Sequence, residues 1–267
     1  MRNLIKNELL HMYSSKEFRI ALGLAMFIAI WQGVYVDIYG ETIGYAIEGE
    51  IEYGGLFECW LGAGVSFAQS YWYYLVMPLI ATLAYAGSVF DDKKSGYIKQ
   101  VCIRSSRRQY YLAKAIAVFI AGGFSCVFPF VINFMIIAMK YPVLYPSLYR
   151  GFGPDSSEVG GVFFWIHPIV YTVLFLLFDF ALCGIFALVS MLLCMKLHYK
   201  YIAVVFPFAI SFFLYELGVA VDTTDIAPKC YMVPQYGIEN VWTLVGIAIL
   251  GVIVFATILL MGKRNEI

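Results

Sequence analysis

The segment Phe90–Lys114, FDDKKSGYIKQVCIRSSRRQYYLAK, is a long basic run between two strongly apolar stretches. It carries Lys93, Lys94, Lys99, Arg104, Arg107, Arg108 and Lys114 against Asp91 and Asp92 alone. A basic loop of this kind is retained on the cytoplasmic side of a membrane, because Lys and Arg beside a span set its orientation. Gly96 lets the chain turn after the first charged cluster. The spacing of Tyr97, Ile98, Val101 and Ile103 then suits a short amphipathic helix lying against the bilayer or a partner. A solvated basic loop that only sets topology has the same composition.

Outward from this loop the chain reads as membrane. Of its 267 residues, 62% are hydrophobic and 13% are charged, whereas soluble domains carry about 25% charged residues. Mean hydropathy is +0.79. The formal net charge is zero, which argues against nucleic acid as the main partner. Six spans are predicted, at about 20–36, 71–90, 112–139, 164–195, 201–221 and 241–262. With short connections they use up the length, so one transmembrane domain is expected over 1–267, of the all-α membrane class. The fourth segment is long for a hydrocarbon core of about 30 Å, and must tilt, kink at Pro168 or begin outside it.

Residues 1–19 form a basic lead in which Leu4, Ile5, Leu9, Met12 and Tyr13 share a face, the pattern of an interfacial helix. No small-residue cleavage site follows the first span, so it is expected to be a retained anchor. Fifteen of the eighteen Lys and Arg fall at the two termini, in the main loop or in the turn at Lys196 and Lys200. Lys140, Arg150 and Lys229 are the three on the other side. That bias predicts a multi-pass protein of the cell membrane, of the bacterial plasma-membrane kind, with both termini cytoplasmic.

The basic loop also carries a family resemblance. An acidic start, a glycine followed by an apolar pair, then R-S-S-R-R-x-Y-x-x-x-K running into an apolar helix resembles the cytosolic loop of type-2 ABC exporter permeases. Gly96, Tyr97, Ile98, Arg104, Ser105, Arg107, Arg108, Tyr110 and Lys114 occupy the corresponding places, and Asp91 or Asp92 stands where the family usually has glutamate. The resemblance implies a coupling helix between membrane helices 2 and 3 that meets an ATPase subunit. It also implies a dimer with a second permease chain, the same or homologous, above two ABC ATPase subunits that bind ATP and Mg. In such permeases the second and fifth helices border the central path, and Pro78 and Pro207 fall on those helices here.

Catalysis is poorly supported. The sequence has no GxxxxGK[ST], no HExxH and no GxSxG, and His11, His167 and His198 lie in separate segments. Six cysteines show no CxxC spacing, so no metal and no cofactor are expected in this chain. Asp179 and Glu216 fall inside predicted spans, where an ionisable group is a functional candidate by default. Either can instead pack helices together, and Glu216 can pair with His167 or line an exit beside Phe212. Cys59 and Cys230 both fall on the predicted outer side, where a disulfide is allowed. The segment from Asp37 to Ser70 holds five glutamates and no Lys or Arg. Glu48, Glu50 and Glu52, interleaved with apolar residues, make an outer acidic surface suited to cationic amphipathic peptides or drugs. Two rivals to an exporter subunit are a membrane scaffold or sensor that binds a ligand at this surface, and an intramembrane enzyme lacking any recognisable nucleophile and base.

Overall fold

Six helices are long and apolar enough to cross a membrane in the computed structural model, which describes residues 2–39, 44–47, 50–53, 55–63, 68–143, 153–221, 227–235, 238 and 241–264. They are α2 (Lys16–Tyr39), α4 (Ala68–Tyr85), α7 (Arg107–Ala138), α9 (Pro168–Lys196), α10 (Lys200–Val221) and α12 (Val241–Arg264). The short helices are α1 (Arg2–Ser14), α3 (Leu56–Cys59), α5 (Ser88–Ser95), α6 (Tyr97–Arg104), α8 (Gly161–Ile166) and α11 (Pro228–Met232). Successive long helices run in opposite directions, so the bundle has a terminal end, where α2 starts and α12 ends, and a far end.

The centre is the pair α7 and α9, with α2, α4 and α12 packed on α7 and with α4, α10 and α12 packed on α9. Small residues set the spacing. A Cβ on Gly122 would come within 2.7 Å of the Ala187 Cβ and 3.0 Å of the Cys183 carbonyl oxygen. Added carbons on Gly123 and Gly184 would meet the rings of Phe180 and Phe119. Within a bilayer, where apolar side chains gain little by leaving lipid, such close approach is what holds helices together. The outer helices are less enclosed: only 11% of the apolar window of α12 is buried.

Local chemistry explains the breaks. The second long helix pauses at Ala86 and Gly87 before α5, and the Lys200 side chain lies where a Cβ on Gly87 would be. Gly96, at φ +76°, ends α5 and starts α6 in the left-handed region that favours glycine. The Ser106 hydroxyl caps α7 by accepting from the Gln109 N–H. The long fourth segment is broken at His167, and Pro168 opens α9 at a position where its missing N–H costs nothing.

Two features were not expected. Gly44–Ile47 and Glu50–Tyr53 pair as an antiparallel hairpin, β1 and β2, with Ile47 opposite Glu50 and Gly44 opposite Tyr53. The alternation of Tyr45, Ile47, Ile51 and Tyr53 with smaller or charged residues is a strand pattern. The lead helix α1 packs on α7, and its buried residues are Met12 and Glu8.

Candidate functional site

The polar loop at the terminal end is organised by lysine–carboxylate clusters. Lys114, on the second turn of α7, is 1% exposed. Its Nζ lies 3.0 Å from Glu8 Oε2 on α1 and 2.6 Å from Asp92 Oδ2 on α5, and donates to the Tyr85 hydroxyl at 3.2 Å. Tyr85 in turn donates to Glu8, and Tyr110 to Asp92. A buried ammonium faces two carboxylates and one phenol, and a second phenol bonds Asp92, so each charge in the cluster has a partner, which burial requires. Lys200, at the start of α10, is bonded to Glu17 of α2 and to Asp91. The adjacent aspartates therefore serve different lysines on different helices.

These clusters tie α5 to the bundle, and α6 follows it across Gly96. Ile98 is buried, and the Tyr97 ring lies between His11 of α1 and Tyr110 of α7, at centroid distances of 5.9 and 6.5 Å. Burial, with the Glu8 and Asp92 carboxylates nearby, raises the Tyr97 phenol above its usual range. Lys99 and Gln100 are exposed on the other side, and Ile103 is 84% exposed. Arg107 is partly exposed and Arg108 exposed, while the Arg104 side chain lies outside the described residues. The arrangement offers a basic, apolar-tipped surface braced from behind by ion pairs.

The other predicted residues are dispersed. Asp179 is fully buried in α9, and among the described residues neither of its carboxyl oxygens has a hydrogen-bond partner. Glu216 and His167 are both exposed, and no ion pair joins them among the described residues. His167 stands at the α8–α9 junction, where it lines a cavity of about 320 Å³ with Phe57, Ile166 and Val170. Phe212 is stacked on Phe208 along α10. Glu50 and Glu52 lie on β2, while Glu48 lies outside the described residues. No disulfide joins Cys59 and Cys230, so the allowed bond is not formed. Cys59 is buried, and burial with the Glu58 charge beside it pushes its thiol up to about 12.

At the far end, a buried segment around α3 is pinned into the bundle by amides. Asn133 of α7 accepts from the Leu61 N–H at 2.7 Å and donates to Gln32 Oε1 and to the Ala29 carbonyl. Gln32 donates to the Cys59 carbonyl at 2.8 Å. Trp60 packs edge-on against Phe130 and Phe134. Glu8, Gln32, Asn133 and Lys200 escaped the sequence reading as site residues. For Glu8 a signal existed: it lies four residues from both Leu4 and Met12, on the apolar face of α1.

Among the described residues no group of three or more His, Cys, Asp or Glu is placed to hold a metal ion. Comparison with protein-family models, with curated proteins and with solved structures finds no match to this chain.

Proposed function

We propose that this chain is the membrane-spanning permease subunit of an ATP-driven exporter, working as a dimer with separate ATPase subunits that bind ATP and Mg. The observation that carries the proposal is α6. It is a short amphipathic helix whose inner face is clamped to the bundle and whose outer face leaves Lys99, Gln100 and Ile103 uncovered. Such a helix, at the terminal end, is a docking point for a cytoplasmic ATPase, with both termini cytoplasmic by the charge bias.

On this reading, closure of the ATPases moves α6 and with it α5. Asp92 passes the displacement to α7 through Lys114, and Asp91 passes it to α10 through Lys200. The uncovered apolar faces of α2, α10 and α12 are available to lipid and to the second permease chain. Cationic amphipathic molecules are the cargo class that suits the acidic hairpin segment around Glu48, Glu50 and Glu52.

The test is charge reversal at Arg104 and at Arg107, with Ile103→Asp as a third variant, in cells that also supply candidate ATPase partners. Arginine makes bidentate, charge-assisted contacts that a carboxylate in its place would repel. Loss of ATPase co-purification with membrane insertion intact supports docking at α6. Full recovery of the complex and full turnover in all three variants would reduce the loop to a topological role.

A further inference from the structure

At the far end, Lys229 of α11 inserts its ammonium between two tyrosines. Its Nζ is 3.1 Å from the ring centroid of Tyr71, on the first turn of α4, and 4.2 Å from that of Tyr215 on α10. The rings are 6.3 Å apart and inclined at 70°, and their hydroxyls approach to 3.5 Å. Two ring faces meeting around a cation at these distances form the geometry by which proteins recognise ammonium groups. Lys229 is 7% exposed, and among the described residues no carboxylate lies within ion-pair distance of it. A lysine held this way is desolvated against two rings with no described carboxylate in ion-pair contact, an arrangement unlike either cluster at the terminal end.

The surroundings suit a longer guest than lysine. Trp72, 54% exposed, meets Tyr71 edge-on at 5.8 Å. Phe212, one turn before Tyr215 on the same face of α10, is also exposed, and the exposed Glu216 adds negative charge beside the box. An ammonium between the two tyrosines would therefore have apolar surface alongside for a hydrocarbon chain.

We propose that Tyr71 and Tyr215 form a binding site for the ammonium group of cationic amphiphiles, and that Lys229 is a tethered occupant which such a ligand displaces. Its seat on a five-residue helix means that leaving the box moves one short element and not a spanning helix. The site is separate from α6 and does not depend on whether the chain transports anything. Ammonium on an apolar body can come from a free amphiphile or from a phosphocholine lipid headgroup, and the experiment separates them.

The full chain is purified in a neutral maltoside detergent, and its lysines are reductively methylated with ¹³C. The Lys229 methyl signal, assigned by its loss in Lys229→Gln, should be displaced by the ring currents of the two tyrosines. Decyltrimethylammonium should move it to the position of an exposed lysine, and added decyl maltoside should not. A phosphocholine of equal chain length that acts at the same concentration identifies lipid as the source, and a weaker effect identifies the free cation. Lys229→Gln should bind decyltrimethylammonium about tenfold more tightly than the native chain, given the strength of a desolvated cation–π contact. Tyr71→Leu with Tyr215→Leu should abolish that gain. A Lys229 signal unmoved by either ammonium compound, or moved equally by the maltoside, overturns the proposal without recourse to any variant.

Discussion

The Lys114 ammonium of α7 and the Glu8 carboxylate of α1, 106 residues apart in the chain, meet at 3.0 Å in a buried cluster. The lead helix is thereby fastened to the bundle by a charge pair as well as by Met12. Removing one partner leaves the other charge buried and uncompensated, which costs about 3–5 kcal/mol. Lys114→Ala, which leaves Glu8 and Asp92 together without their cation, should lower the unfolding temperature in detergent and expose α1 to protease. Glu8→Gln combined with Lys114→Met should recover most of that loss. A single variant as stable as the native chain would show that the cluster is not what secures α1.

Asp179 presents a different case, because its two buried oxygens have no partner among the described residues. A buried carboxyl group without hydrogen bonds costs about 1–3 kcal/mol relative to an apolar group of similar shape. Asp179→Leu should therefore unfold at the same temperature as the native chain or higher. If the proposed complex with an ATPase then assembles but fails to turn over, Asp179 serves function at the expense of stability. A marked loss of stability would instead show that the carboxyl has a structural partner.

Lys229 makes stability depend on pH. Burial lowers its ammonium from 10.5 to about 8, with the Cys230 and Glu216 charges acting the other way, and Tyr71 and Tyr215 facing it. Between about pH 8 and 10.5 the folded chain binds fewer protons at this site than the unfolded chain, so stability rises with pH across that window. The unfolding temperature of the native chain, relative to Lys229→Gln, should increase from pH 7.5 to 9.5. A difference that stays flat would mean that Lys229 titrates like an ordinary surface lysine.

Cysteine labelling tests sidedness. An impermeant maleimide applied to intact cells should modify Cys230 and spare Cys102 on α6, which becomes reactive when the membrane is opened. Cys59, although on the same side as Cys230, is buried and should react only after unfolding. Position alone puts both thiols on one side, and burial separates them in reactivity. Labelling of Cys102 in sealed cells would reverse the orientation assigned from charge.

The long helices were legible because each is a run of apolar residues long enough to reveal itself without neighbours. The breaks at Gly96 and Pro168 were legible for a related reason, since glycine and proline act on their own backbone. The roles of the charges were not. Lys114 reads as one more basic residue of a topogenic loop, and its burial depends on Glu8, which is more than a hundred residues away. Gln32 and Asn133 are single amides in apolar segments, and nothing local says that they meet. The box around Lys229 joins three segments, and only the fold brings Tyr71 and Tyr215 together. The hairpin was missed because the acidic composition of its segment drew more notice than its alternation.

Asp91 and Asp92 are neighbours on α5, yet one is bound to Lys200 and the other to Lys114. Helix α5 is thus a yoke with two traces attached at one point. Loss of one aspartate therefore leaves α5 tied to the bundle through the other, on a different helix.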